Sequence, residues 1–397
     1  MIDPRELSDL VRLFIATHER ADIPSLVLKY NSIDGLPITS IVDQILGRRK
    51  TREKLPTYFA NGEVLYPPAL NLEQTSSETT AYFKAQLLSA VSTLDTMVDL
   101  TGGFGIDSFA LSKIFGAVVH VEPDGALQRL ARYNHQRLGS DNISYVNQQA
   151  EHYLGTMPEV SAAFIDPSRR KDSRKVYSFR DCQPDLTRLQ TEIFRRTTVL
   201  LVKASPMHDI QLALREIRNV QRVVVLAVDN EVRELLFLAL RDFDARPIIS
   251  AVNITSSGTV AFDFSVAEEE RADAGYADLM PYVYEPNAAL LKAGAFKLIA
   301  KRYGVHKLHV NTHLYTFDAR VDNFPGRIFR VISRVKGDDK IMGDYFPDGK
   351  ANVMVRNYPS TPEELKKKLR LRDGGERYLL GFTSPSGPTL IAAERLM

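Results

Sequence analysis

Apolar and polar positions along the chain fall into three successive patterns. Residues 3–20 have amphipathic helical spacing, with Leu7, Leu10, Val11 and Phe14 at i, i+3, i+4 and i+7 behind an Asp-Pro start. Shorter helical pieces are expected at 26–30 and 38–46, and Tyr66-Pro67-Pro68 then breaks the pattern. The first 70 residues thus read as an N-terminal helical domain. From residue 76 apolar runs alternate with amphipathic helices. Helices are expected at 76–93, 106–115, 125–138 and 210–217, and runs at 97–100, 118–121, 143–146, 162–165, 199–202, 223–228 and 232–240. This alternation predicts an α/β domain over 71–270, a parallel sheet with helices on both faces. A terminal pair, 248–254 and 259–264, is joined by Ser256-Ser257-Gly258 and should add an antiparallel hairpin. After the charge run 267–271 the pattern becomes α+β. One helix is expected over 288–303, and a strand-rich segment over 326–397 contains a basic helix at 362–370.

Composition adds limits. A chain of 397 residues, 44% hydrophobic and 25% charged, can bury proper cores in two or three domains. No segment approaches the roughly 18–20 apolar residues of a membrane helix. The acidic N-terminus has no apolar signal-peptide core. The single cysteine, Cys182, excludes an internal disulfide and an all-cysteine metal site. A soluble, cytoplasmic protein without metal is expected. The net charge of +2 is uneven, because residues 276–397 hold 20 Lys and Arg against 13 Asp and Glu. Such an end piece suits either a polyanion or an ordinary solvated surface.

The densest chemistry lies at expected strand ends. Asp99-Leu100-Thr101-Gly102-Gly103-Phe104-Gly105-Ile106 closes the first strand and opens a helix. Its glycines allow backbone to pass tightly against a ligand, in the crevice where open α/β sheets bind them. The Asp-x-x-Gly-x-Gly spacing is not a dinucleotide fingerprint, and Asp99 would suit the ammonium group of an amino acid. Glu122, followed by Pro123, ends the next strand, where an acid either accepts ribose hydroxyls or caps the following helix. Gln149 and Ala150 end the third and could meet adenine. Asp166, stiffened by Pro167, ends the fourth and could orient or deprotonate a nucleophile.

Together these residues resemble the class I S-adenosylmethionine-dependent methyltransferases, with Asp99–Gly105, Glu122, Gln149-Ala150 and Asp166–Arg169 similar to their first four motifs. Asp166-Pro167-Ser168-Arg169 is similar to the Asp-Pro-Pro-aromatic motif of nucleic-acid methyltransferases, with Ser168 in place of the second proline. The stretch 72–81 before the sheet, Tyr284-Glu285-Pro286-Asn287-Ala288, Asn311-Thr312-His313-Leu314-Tyr315, Phe324-Pro325-Gly326-Arg327 and 372–378 extend the likeness to bacterial methyltransferases with a C-terminal THUMP-like domain. The resemblance implies a Rossmann-like sheet, a ferredoxin-like piece at 276–321, a THUMP-like domain at 322–397 and S-adenosyl-L-methionine as cofactor. It implies Asp99, Thr101, Gly102, Gly103, Gly105, Ile106, Glu122, Pro123, Gln149, Ala150, Asp166 and Pro167 as cofactor contacts.

The expected substrate is RNA, tRNA or rRNA. Arg169, Arg170, Lys171, Arg174 and Lys175 follow Asp166, Gly47-Arg48-Arg49-Lys50 lies upstream, and Lys366, Lys367 and Lys368 lie in the basic helix. Tyr177 and Phe179 could stack on an extruded base or belong to a core. Carbon-5 pyrimidine methylation is excluded by the place of Cys182, 16 residues beyond Asp166. Two acceptors remain. A base nitrogen would bond to Asp166. A ribose 2′-hydroxyl would need Lys84, Asp166 and Lys203, which are similar to three of the four catalytic residues of RrmJ-like enzymes. Their glutamate is missing from the final hairpin, which favours nitrogen, with Asp166 and Lys203 as catalytic residues. A small-molecule methyltransferase and an RNA-binding module that holds the cofactor without turnover are the other readings.

Overall fold

The computed structural model describes residues 7–169, 178–336 and 339–396, with only the backbone of Arg169 and of residues 339–341. The chain divides into two compact units, residues 1–222 with 235–245 and residues 223–234 with 246–397.

The first unit opens with helices Asp9–Thr17, Ile23–Lys29 and Ile38–Lys54. Ser8 takes the N-cap place of the first and accepts the Val11 N–H, while Asp22 accepts the Ser25 N–H for the second. The third runs well beyond the expected 38–46. Its last turns are tied down as Arg48 and Arg52 pair with Glu19 and Arg49 reaches the carbonyls of Glu19 and Ala21. These residues lie against the α/β layer. Tyr58, fully buried, packs edge-on to Phe109 and tilted on Phe104 of the glycine loop. Glu78, at the start of helix Glu78–Ser89, accepts the Thr57 N–H at 2.7 Å.

The larger sheet comprises β1 (Thr96–Asp99), β2 (Ala117–Val121), β3 (Ile143–Val146), β4 (Ala162–Ile165), β5 (Val199–Ala204), β6 (Val220–Val228), β7 (Glu231–Leu240), β8 (Ile248–Thr255) and β9 (Gly258–Ser265). Their order is β9-β8-β6-β7-β5-β4-β1-β2-β3. Strands β1 to β5 pair in parallel. Every residue of β4 and β5 is buried, as in strands covered on both faces. Strand β7 departs from the parallel expectation and runs antiparallel to β5. The cause is local. Asp229 and Asn230 form a two-residue turn with φ of 49° and 63°, and so short a link can only reverse the chain. Strands β8 and β9 form the expected antiparallel hairpin, from Ile248↔Ser265 to Thr255↔Gly258. The sheet and its helices are a Rossmann-like α/β core.

The second unit carries a seven-stranded sheet of β10 (Tyr282–Pro286), β11 (His306–His309), β12 (Thr312–Phe317), β13 (Gly326–Val335), β14 (Asn352–Arg356), β15 (Arg377–Ser384) and β16 (Gly387–Arg395). The order is β11-β12-β10-β13-β16-β15-β14. Strands β14 and β15 are parallel, and the helix Pro362–Leu369 lies between them in the chain. Neighbouring Leu379 and Leu380 join different apolar clusters, as the pleat of a two-sided sheet requires. The single helix expected over 288–303 is two, Ala288–Ala293 and Leu298–Tyr303. Gly294, at φ 84°, closes the first in a conformation that costs other residues energy.

Candidate active site

The carboxyl ends of β1, β2, β4 and β5 bring the expected acidic residues to one edge of the first unit. Asp99 closes β1 and is 1% exposed. Its Oδ1 accepts the Thr101 N–H at 3.1 Å and its Oδ2 the Ser108 hydroxyl at 2.7 Å. The loop after it is held on both sides. Leu100 N–H bonds to the Phe164 carbonyl and Gly102 N–H to the Val121 carbonyl, at 2.9 and 2.8 Å. Glycine is needed at 102 for close approach, since a Cβ would lie 2.2 Å from Cε1 of the fully buried His120. At Gly103 the need is conformational, with φ 54° and an added Cβ meeting only the Thr101 carbonyl oxygen, at 3.8 Å. Gly105 precedes helix Ile106–Ser112, whose first residue is buried.

Glu122 follows β2. Its Oε2 accepts the Gly103 N–H at 2.9 Å and its Oε1 the Asp124 N–H at 2.8 Å, so the carboxylate joins the β2 end to the glycine loop. Asn147 donates to the Glu122 and Pro123 carbonyls, at 2.8 and 3.0 Å, and fixes that turn from the β3 side. Pro123 and Gln149 are exposed, and Ala150 is buried at the start of helix Ala150–Leu154.

Asp166 follows β4. Its N–H donates to the Thr101 hydroxyl at 2.7 Å, tying it to the glycine loop. Lys203, on β5, places Nζ 2.5 Å from Asp166 Oδ2, with the two side chains 11% and 33% exposed. Pro167 is buried beside it. Lys84 is only 1% exposed and pairs with Asp107 at 3.0 Å. Ser76 accepts from Lys84 and donates to Asp107, at 3.0 and 2.8 Å.

These charges set unusual proton affinities. Burial raises Asp99 to about 7, with Asp107 and Asp166 adding to the effect against the bonds from Ser108 and Thr101. Burial also raises Glu122. For Asp107 burial acts upward too, but Lys84 and Lys203 outweigh it and the net shift is downward. Burial lowers His120 to about 3 and His135 to about 4, so both are neutral at pH 7.

Other expected residues fall elsewhere. Arg170, Lys171, Arg174, Lys175 and Tyr177 lie outside the described residues, as does the side chain of Arg169. Phe179 is core, 1% exposed and stacked on His208, which removes it as a base-stacking platform. Arg48 and Arg49 are committed to Glu19 and to carbonyls, and Lys50 to Glu73, so that upstream cluster is structural. Cys182 is nearer the motif than its place in the chain suggests, because Ser168–Arg169 pairs antiparallel with Cys182–Gln183. Its thiol is buried and donates to the Ser178 carbonyl at 3.6 Å. Lys366, in the second unit, is held by Asp373 at 3.0 Å, while Lys367 and Lys368 are exposed. The sequence reading missed Asp107, Ser108 and His120. A polar residue inside the apolar run Val118–Val121 was the available signal for His120. Among the described residues no cluster of His, Cys, Asp or Glu is placed to hold a metal ion, and no helix is long and apolar enough to cross a membrane.

Known proteins resemble this chain in sequence and fold. Residues 282–325 match a ferredoxin-like domain family, and residues 326–395 a THUMP domain-like family. A Porphyromonas gingivalis W83 protein that carries the name of a methyltransferase has a similar crystal structure. Identity is 31%, TM-score 0.84, and the match covers 98% of each chain. An uncharacterized S-adenosylmethionine-dependent methyltransferase of Mycobacterium tuberculosis is 23% identical over 304 residues, 76% of this chain and 80% of the relative. The chain therefore belongs to the class I S-adenosylmethionine-dependent methyltransferases that carry C-terminal ferredoxin-like and THUMP-like domains.

Proposed function

We propose that this methyltransferase modifies a base nitrogen in tRNA or rRNA, with Asp166 as the residue that receives the acceptor. The observation that carries the reading is the setting of Asp166: its backbone is held by Thr101, its carboxylate by Lys203, and a third of its side chain stays open. A carboxylate fixed this way accepts a hydrogen bond from an amine and aligns its lone pair, and in-line displacement gains most of its rate from such positioning. The contact with Lys203 engages Oδ2, so that Asp166 is held in place while part of its carboxylate stays open to an N–H donor.

The residues at the strand ends suit S-adenosylmethionine, which supplies an electrophilic methyl group when bound. Asp99 has two neutral donors and is deeply buried, a setting completed by a cation such as an amino-acid ammonium group. Glu122 lies at the β2 end, where an acid meets ribose hydroxyls. Gly102, Gly103 and Gly105 bring backbone without side chains to the glycine loop, Ile106 opens the helix after it, and Gln149, Ala150, Pro123 and Pro167 follow the neighbouring strand ends. The THUMP domain-like match and the exposed Lys367 and Lys368 support an RNA partner.

The close contact of Lys203 with Asp166 also suits a second acceptor, a ribose 2′-hydroxyl, which the paired ammonium and carboxylate would orient. Purified protein incubated with labelled S-adenosylmethionine and RNA from a strain lacking the gene separates the two. Nucleoside mass spectrometry should show a base-methylated product. A 2′-O-methyl product would replace the nitrogen reading, and label in small metabolites alone would remove RNA from it.

A further inference from the structure

Asp99 ends a three-residue chain whose other two members, Ser108 and His120, have no role in the methyl-transfer reading. Ser108, on the third position of helix Ile106–Ser112, donates its hydroxyl to Asp99 at 2.7 Å, and His120 Nδ1 lies 2.9 Å from the same hydroxyl. All three side chains are buried, with Ser108 and His120 fully so. With Asp99 ionised, the serine proton goes to the carboxylate, so the imidazole offers Nδ1–H to the serine oxygen. His120 is then the Nδ1–H tautomer, and Nε2 is a buried atom without a hydrogen-bond partner. An orphaned buried nitrogen carries a cost, and the ring's position also obliges residue 102 to be glycine. Two penalties accepted for one hydrogen-bond chain suggest that the chain does more than fill space.

We propose that Ser108 and His120 are positioning residues for cofactor capture: they hold Asp99 in a buried cradle that is completed by the ligand's ammonium group, whose arrival leaves Asp99 ionised and sends any proton it held to solvent. This rests on the reading of Asp99 as the cofactor's ammonium acceptor. The charged groups around Asp99 are consistent with it. Asp107 comes from the following helix and Asp166 from the end of β4. Lys84, from helix Glu78–Ser89, and Lys203, from β5, act on Asp107. Asp99 therefore faces other carboxylates first, and in the free protein it holds a proton about half the time at pH 7. A cation seated against it favours the ionised form and drives the proton off. Ser108 makes this release feasible, because its hydroxyl bonds to the ionised form and His120 keeps that hydroxyl pointed at it.

The test is calorimetric titration with S-adenosylhomocysteine at pH 6, 7 and 8, each in two buffers of different ionisation enthalpy. Wild type should release about half a proton at pH 7. Its affinity should be roughly tenfold weaker at pH 6 than at pH 8, following the ionised fraction of a group that titrates near 7. Ser108→Ala should move that dependence to higher pH, so that its loss of affinity is large at pH 6 and shrinks at pH 8. A merely structural serine would give the same loss throughout. His120→Asn, which can still donate to Ser108, should stay closer to wild type than His120→Val. Glu122→Gln should weaken binding equally at all three pH values and leave proton release intact. If Ser108→Ala does not fold, the wild-type proton count decides. Binding with a flat pH dependence and no proton release overturns the proposal while leaving the cofactor site in place. No binding by wild type at any pH overturns the site reading and this proposal with it.

Discussion

Lys203 Nζ lies 2.5 Å from Asp166 Oδ2, joining the ends of two adjacent parallel strands across the expected acceptor position. The pair separates the two acceptor chemistries. If Asp166 aligns the acceptor, Asp166→Asn should lower turnover by about 10²- to 10⁴-fold, the usual scale for a positioned acid or base. S-adenosylhomocysteine affinity should change far less. Lys203→Met should abolish transfer to a ribose hydroxyl but only reduce transfer to nitrogen. Single-turnover rates on the identified RNA measure both, and full activity of Asp166→Asn would move the catalytic role to another residue.

The placement of the glycine loop, Glu122 and Asp166 at strand ends was legible in the sequence because it depends on local chemistry: a backbone conformation, a strand end, a proline. The chain from Asp99 to Ser108 to His120 was not, because it joins a strand end, a helix and a second strand whose residues look ordinary alone. Proximity in sequence misled twice. Phe179 follows the Asp166 motif closely but packs into the core, and Cys182 lies well beyond the motif but pairs across from Arg169. The direction of β7 was written in Asp229-Asn230, a turn signal hidden between two apolar runs that looked like successive strands of a parallel sheet. Gly294 was similarly concealed within a good helical period.

Neighbouring glycines should respond differently to a methyl group. Gly102→Ala puts a Cβ into the His120 ring, which has no room to move, and overpacking of this kind costs about 1–3 kcal/mol or more. Gly103→Ala meets no atom closely and pays only for its left-handed backbone, about 1–2 kcal/mol. Urea unfolding should show Gly102→Ala as the less stable variant. Adding His120→Ala to it should recover stability, a coupling that Gly103→Ala will not share. Equal losses in both backgrounds would argue against the packing of His120 on Gly102.

Acid should destabilise the protein through its buried histidines. His135 donates Nε2–H to the Gly105 carbonyl at 2.9 Å and accepts at Nδ1 from the Tyr145 hydroxyl at 2.8 Å, so its neutral form is satisfied. Its folded value, about 4, lies below the ordinary 6.5, as does that of His120, about 3. Between pH 6.5 and 4 the unfolded chain therefore binds more protons at these sites, and stability falls with pH by about 1.4 kcal/mol per unit for each. Asp99 acts in the opposite sense. Its folded value, about 7, is raised, so its contribution is full below the unfolded value and is lost as pH rises through 7. His135→Gln should flatten the fall in stability between pH 6.5 and 5, and Asp99→Asn should steepen it. Chemical denaturation across that range reads both slopes.

The basic helix Pro362–Leu369 offers two cations to a polyanion rather than three. Its capping box, Thr361 with Glu364, fixes the start, Leu365 and Leu369 face the core, and Lys366 is held by Asp373. Lys367 and Lys368 project outward. If they neutralise phosphates, Lys367→Glu with Lys368→Glu should weaken RNA binding. It should also reduce the dependence of log K on log salt by about 0.7 to 0.9 for each phosphate no longer neutralised. Cofactor affinity should stay unchanged, and so should stability, because neither side chain is buried. Lys366→Glu should behave differently, costing stability by repelling Asp373 with little change in salt slope. Filter binding at several salt concentrations distinguishes the positions. RNA affinity that survives the double reversal at low salt would return these lysines to an ordinary solvated surface.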